Sequence, residues 1–237
     1  MSERAVERVL VVTAHPDDVD FGAAGTVATW TDAGVAVAYC IVTNGDAGGF
    51  DAAVPRSSIP AIRQAEQRAA AKEVGVDDLV FLGYPDGYLE VSMKLRTDIA
   101  REIRRHRPDV VVCQNPTRNP TSIFASHPDH LAAGEATVCA VYPDARNPFW
   151  MPELIAEGFE PHAAWQVWMM ASETPNRYVD ISAHIDRKLA ALKRHESQMS
   201  DVPGMEARVR MWNSANATAG GLPEGSYAES FLIIETP

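Results

Sequence analysis

Five consecutive residues, Ala14-His15-Pro16-Asp17-Asp18, put an imidazole and two carboxylates on one tight turn, directly after the apolar run Val9-Leu10-Val11-Val12. A second group, His127-Pro128-Asp129-His130, follows another apolar run, Val110-Val111-Val112-Cys113. Imidazole nitrogens and carboxylate oxygens are ligands for a divalent ion, and a catalytic zinc typically takes three such side chains and keeps a position open for water. His15 and Asp18 are close enough on one turn to share a metal, and His130 could be the third ligand, arriving from the other strand end. Zinc suits such a mixed N/O set, although spacing alone leaves iron or another divalent ion open. Asp17 is then left over, a carboxylate able to take a proton from water whose pKa the metal lowers toward roughly 7. His127 could face a substrate, stabilising an oxyanion or protonating a leaving amine. Asp129 could hold the His127 ring and favour its charged form. Together these are the parts of a metal-assisted hydrolase.

Each residue also has a plainer reading. Asp17 or Asp18 alone is more often a helix N-cap, and a lone His130 at a helix start is more often a surface or capping residue. The joint pattern, not any single residue, carries the metal reading.

The elements that must position these groups alternate at short intervals. Val9 to Thr13, Val35 to Thr43, Leu79 to Leu82 and Val110 to Cys113 read as buried strands. Between and after them, Gly25–Ala33, Ala61–Glu73, Lys94–His106 and Leu131–Val141 read as helices, with Gly34, Gly75 and Pro108 as stop signals. The last third is less regular, with candidate strands Trp165–Ala171, Tyr178–Ile181 and Tyr227–Glu235 and candidate helices Ile185–Met199 and Met205–Ala217. Segments 114–128 and 142–162, rich in Pro, Asn and Gly, read as loops around the site. This pattern predicts an α/β fold, a parallel sheet with helices on both faces. Ligands of such sheets bind beyond the strand carboxyl ends, near the switch in strand order, and both His/Asp groups lie at such ends. The whole chain, 1–237, reads as a single domain.

Composition narrows the function classes. A formal net charge of -11 argues against a nucleic-acid backbone or an anionic membrane as the main partner. No apolar stretch approaches the roughly 20 residues that span a bilayer, and Met1–Arg8 lacks the apolar segment of a signal peptide. Cys40, Cys113 and Cys139 lie in apolar contexts without C-x-x-C spacing and read as free thiols of a cytoplasmic protein that bind no metal. A nucleotide-binding reading lacks the G-x-G-x-x-G turn after the first strand.

The chain resembles the PIG-L/LmbE-like family of zinc-dependent N-deacetylases. The matching residues are His15-Pro16-Asp17-Asp18 with Gly22 and Gly25-Thr26, then Arg63-x-x-Glu66, then His127-Pro128-Asp129-His130. Weaker matches follow in the family's order at Val179-Asp180-Ile181, Lys188, His195-x-Ser197-Gln198 and Tyr227-x-Glu229-x-Phe231. The resemblance implies a Rossmann-like three-layer sandwich with zinc held by His15, Asp18 and His130. It also implies Asp17 as general base, and His127, paired with Asp129, as electrostatic partner or acid. The substrate it implies is a small molecule containing N-acetylglucosamine. A related branch cleaves the amide of mycothiol conjugates, and a non-catalytic carbohydrate-binding protein of the same fold is a further alternative. Family members are often oligomeric, which leaves a homo-oligomer open. Val19 stands where the family often has an acidic residue, and Ala23-Ala24 replace part of its glycine-rich stretch; these departures bear on the pocket floor.

Candidate substrate contacts are Arg63, matching the family's helix arginine, Asp46 after the second strand, and Asn115 after the fourth. Arg63 could instead pair with Glu66 or Glu73 on a solvated helix, and Asp46 could be a turn residue. Trp165, Trp168, Met169 and Met170 read as core, Phe149 and Trp150 as a pocket wall, and His195 has no assigned role.

Overall fold

The computed structural model describes residues 5–49, 51–120, 123–199 and 203–236. Residues 1–4 of the charged N-terminal segment, and 121 and 122 of the expected 114–128 loop, lie outside them. The apolar runs become strands β1 (Arg8–Thr13), β2 (Ala36–Thr43), β3 (Asp78–Tyr84) and β4 (Val110–Gln114), followed by β5 (Gln166–Met170), β6 (Arg177–Asp180) and β7 (Ala228–Glu235). They form one sheet in the order β3-β2-β1-β4-β5-β7-β6. β1 to β5 pair in parallel, and β7 runs antiparallel to both β5 and β6.

Strand side chains alternate between the two faces, so each run feeds two cores. Leu10 and Val12 of β1 pack with Leu95, Ile99 and Ile103 of α4 (Met93–His106) and Ala132, Ala133 and Ala136 of α5 (Pro128–Cys139). Val9 and Val11 face Val27 and Ala28 of α2 (Ala24–Asp32), Ala70 and Ala71 of α3 (Ile59–Glu73), and Ala191 of α7 (Ile185–Lys193). Helix α4 shows how local chemistry sets an element. The Ser92 side chain caps it by accepting from the Leu95 amide at 3.1 Å. Leu95, Ile99 and Ile103 recur on one face, and Arg107 ends the helix in a left-handed conformation before Pro108.

Four places differ from the sequence reading. The short helix α1 (Asp18–Gly22), a single turn too brief to show periodicity, precedes α2. Helix α5 begins at Pro128, which fits a first helical position, making His127 its N-cap. The expected helix over 185–199 breaks at Arg194-His195 into α7 and α8 (Glu196–Met199), the break letting the His195 side chain turn inward to full burial. Within 142–162, helical turns over Ala140–Asp144 and α6 (Pro152–Ala156) replace part of the expected loop. The Arg104 guanidinium holds that stretch, donating to the carbonyls of Asp144, Ala145, Asn147 and Trp150.

Strand order reverses between β1 and β4, because the chain runs β1, β2, β3 to one side and then crosses to β4 on the other. The first turn of the chain leaves β1 at that switch. No helix among the described residues is long and apolar enough to cross a membrane.

Candidate functional site

His15 follows β1, Gln114 ends β4, and α5 delivers His127, Asp129 and His130 to the same edge. Three donor groups converge there. His15 Nδ1 lies 3.2 Å from His130 Nε2. His130 Nε2 lies 3.0 Å from Asp18 Oδ1, and Asp18 Oδ2 lies 3.4 Å from His15 Nδ1. Bonds of about 2.0–2.1 Å in a tetrahedral zinc site require donors about 3.3 Å apart, so this spacing fits an ion of that size. His127 joins the two other imidazoles, with one ring nitrogen from each lying within 4.8 Å of the others.

Surrounding bonds set the orientation of each donor. The Nε2 edge of His15 meets Asp129 Oδ2 and Asp86 Oδ1, both at 3.2 Å. A carboxylate there holds a proton on Nε2 and leaves Nδ1, facing Asp18 and His130, as the nitrogen that would ligate an ion. His130 Nδ1 lies 3.4 Å from the Ala125 carbonyl, which directs its Nε2 inward. Gln114 clamps the first turn: its Oε1 accepts from Ala14 N–H at 2.9 Å and its Nε2 donates to Asp18 Oδ2 at 2.8 Å. Helix α5 approaches β4 closely at Gly134, where an added Cβ would run into the Gln114 carbonyl.

Asp17 occupies the N-cap position of α1 but makes no side-chain cap bond. Its φ is +102°, a left-handed conformation that costs a non-glycine residue about 1–3 kcal/mol. Gln67 Oε1 accepts its N–H at 2.7 Å, and Arg63 Nη2 donates to its Oδ2 at 2.9 Å. The turn therefore aims the carboxylate at α3 and the site instead of capping the helix.

The electrostatics describe a site with too little positive charge. Asp17, Asp18, Asp86 and Asp129 surround His15, with Arg63 as the guanidinium against Asp17 and Asp86. Burial disfavours the charged form of His15, but hydrogen bonds to Asp129, Asp18 and Asp86 outweigh it and push its pKa up to about 12. Burial also works against ionised Asp18, yet His130 and His15 hold its carboxyl well below the usual range. Burial pushes Asp17 up to about 6 against the pull of Arg63. His127 is pushed below its ordinary value by burial and by neighbouring His15. A buried excess of carboxylates over cations is stable when a bound cation completes it, so the residues present fit a divalent metal.

The expected pairing of Asp129 with the His127 ring is corrected. The Asp129 carboxylate accepts from Gly87 N–H at 2.7 Å and Leu89 N–H at 3.1 Å and meets His15. As second residue of α5 it points across to the turn after β3, away from the cap. The His127 ring instead receives the Asp129 amide N–H on Nδ1 at 3.2 Å.

Arg63 is buried and does not pair on a solvated helix. Glu66 binds Ser197, and Glu73 binds Arg194. Asp46 spends both oxygens, one on Arg56 at 2.9 Å and one on the Asp86 amide at 2.9 Å, and so ties the loop after β2 to the turn after β3. Asn115 closes a turn by accepting from Thr117 N–H. Trp168, Met169 and Met170 are core, whereas Phe149 is 91% exposed. Asp86 and Gln114 were missed as site residues. Both sit at strand carboxyl ends, a signal that was available, and Asp86 lies on the turn Tyr84-Pro85-Asp86-Gly87. The contacts of His195, Asp20 and Gln67 also lie beyond local pattern, because they join residues 47 to 175 apart.

The weaker motifs meet behind the site. Glu229 of β7 accepts from the Gly25 and Thr26 amides at 3.0 and 2.7 Å, at the amino end of α2. Lys188 of α7 donates to the same carboxylate at 2.6 Å and to the Phe21 carbonyl at 2.6 Å.

A family model described as PIG-L: GlcNAc-PI de-N-acetylase matches residues 10–141, more than half of the chain, and the chain belongs to that family. It is 33% identical over 196 residues to diacetylchitobiose deacetylase of Thermococcus kodakarensis, covering 83% of this chain and 72% of that protein. It is 30% identical over 199 residues to a probable N-acetyl-alpha-D-glucosaminyl L-malate deacetylase 2 of Bacillus anthracis, covering 81% of each. The solved N,N'-diacetylchitobiose deacetylase from Pyrococcus horikoshii, complexed with its inhibitor MPG, matches with a TM-score of 0.89 at 28% identity, covering 97% of this chain and 84% of that one.

Proposed function

We propose that this chain is a zinc-dependent N-deacetylase that removes the acetyl group from a small molecule containing N-acetylglucosamine. The observation that carries the reading is the convergence of His15, Asp18 and His130 at 3.0–3.4 Å beside a half-buried Asp17 whose side chain makes no cap bond. Deacetylase relatives that share most of this chain's length support the substrate class. His15, Asp18 and His130 would hold the ion, which when bound would supply Lewis-acid activation of water and of the amide carbonyl.

Asp17 accepts the proton of the attacking water. Burial raises its pKa against the pull of Arg63, which makes it more basic than an ordinary carboxylate and suits a general base. His127 accepts a backbone N–H on Nδ1, so its neutral ring carries its proton on Nε2 and donates from there to the oxyanion developing on the acetyl carbonyl. The amide C–N bond then breaks as the proton held by Asp17 passes to the leaving nitrogen, releasing acetate and an amine. In this scheme Asp129 orients His15. Arg63 with Asp86 forms the polar wall beside Asp17, and Asp46 and Asn115 shape the rim where a sugar would enter.

The reading treats residues 1–237 as one domain of a cytoplasmic enzyme whose partner is a small molecule, with neither nucleic acid nor membrane. A net charge of -11 supports the exclusion of polyanions. Its test is acetate release from a panel of N-acetylglucosamine derivatives, with metal-stripped and zinc-reloaded protein compared. Zinc-dependent release that is lost in Asp17→Asn supports the assignment. Stoichiometric zinc with no release from any member of the panel would sink it.

A further inference from the structure

Helix α3 sends two neighbouring side chains to one place. Arg63 and Gln67 are one turn apart, so they share a face, and both are buried. Arg63 meets the Asp17 carboxylate, while Gln67 receives the Asp17 backbone N–H. The other end of Gln67 donates from Nε2 to Asp20 Oδ2 at 2.9 Å. That same oxygen meets His195 Nε2 at 2.8 Å. Asp20 and His195 are both fully buried, and the far atoms of the two groups, Asp20 Oδ1 and His195 Nδ1, have no hydrogen-bond partner among the described residues.

The chemistry of this chain leaves one arrangement. An amide N–H at Asp17 requires the oxygen of Gln67, so the Gln67 nitrogen must face a carboxylate. A carboxylate oxygen shared with an imidazole nitrogen requires that nitrogen to carry the proton. We propose that Gln67, Asp20 and His195 are positioning residues that hold Asp17 in its left-handed conformation and thereby aim its carboxylate for proton transfer. This rests on the reading of Asp17 as the base. It assigns a task to His195, which lies 175 residues from its partner in sequence.

The test uses the zinc-loaded full chain and four variants, with kcat, KM, bound zinc and the crystallographic φ of Asp17 as readouts. Gln67→Met keeps the volume but loses both bonds, and His195→Leu loses the donor to Asp20. Both are expected to lower kcat by about 10- to 100-fold, the scale of a slightly misplaced group, with KM and zinc content unchanged. In the Gln67→Met crystal, Asp17 should leave the left-handed region. Asp20→Asn, whose oxygen can still accept both bonds, and His195→Gln, whose amide can still donate, should restore most of kcat. Unchanged kcat in folded Gln67→Met overturns the proposal. So does a kcat loss that follows zinc loss, or one that the conservative variants share. Asp17→Asn runs alongside. If it keeps its turnover, the base assignment has failed, and the φ of Asp17 in Gln67→Met then decides the positioning claim alone.

Discussion

Replacing Lys188 with Met should be among the most damaging single changes outside the site. The Lys188 and Glu229 side chains are 1% and 2% exposed, and their charged atoms lie 2.6 Å apart. Lys188→Met keeps the length and apolar stem but leaves the Glu229 carboxylate, among the described residues, with the Gly25 and Thr26 amides. It also strips the Phe21 carbonyl of its donor. Removing one member of such a pair typically costs about 3–5 kcal/mol, because the other charge stays buried. At about 2–4 °C per kcal/mol for a chain of this size, the thermal midpoint should fall by roughly 6–20 °C. Urea unfolding of wild type, Lys188→Met, Glu229→Gln and the double variant measures the coupling directly. The double variant should be more stable than the sum of the singles predicts, by about 0.5–3 kcal/mol. A loss below about 1 kcal/mol in Lys188→Met, or strict additivity, would show that the pair does not brace the sheet against α2.

Four further outcomes follow from the same geometry. His130→Ala should abolish stoichiometric zinc binding, and full zinc content by elemental analysis would remove it from the ligand set. His127→Ala should lower kcat by about 10²–10³-fold, the usual loss for one oxyanion donor, with zinc retained; near-normal single-turnover rates would contradict its role. Gly134→Ala should destabilise the fold by about 1–3 kcal/mol through overpacking against β4, read as a lower urea midpoint. In metal-free protein, His15 contributes stability that is full below its unfolded value of 6.5 and declines as pH rises toward its folded value of about 12. Asp129, held low, contributes above the ordinary carboxylate range and is lost as pH falls through its folded value. The metal-free midpoint should therefore peak at mildly acidic pH and fall from pH 6.5 to 8.5, whereas zinc-induced stabilisation should grow over that interval as the ligands deprotonate. Calorimetry with and without zinc measures both slopes.

Much of the framework is legible in the sequence because local signals and tertiary packing agree there. Val9–Val12 and Val110–Cys113 are buried on both sides, and such runs have few alternatives to a central parallel strand. The two His/Asp turns follow them, so adjacency of β1 and β4 suffices to bring His15 and His130 together. Asp86 is harder to foresee, because β3 lies two strands away from β1 and only the fold of its turn carries it to His15. In sequence Asp129 pairs naturally with the nearby His127 ring, but its carboxylate satisfies amides about 40 residues earlier. The apolar periodicity over 185–199 places His195 within one long amphipathic helix. Its burial against Asp20 outweighs the periodicity and breaks that helix, a case of tertiary contact overriding local pattern.

The order in which the chain is synthesised gives the Asp20–His195 contact a temporal side. Every proposed metal donor is present once residue 130 has been made, whereas His195 and Glu229 come later. At about 5–20 residues per second, the interval between His130 and His195 lasts roughly 3–13 s. A growing chain thus passes through a period in which it has its full set of ion-binding groups, with the Arg63 and Gln67 that contact Asp17, but not the imidazole that binds Asp20. In that window Gln67 would reach Asp20 without its imidazole partner, and emergence of His195 would add the last bond of the Gln67–Asp20–His195 chain.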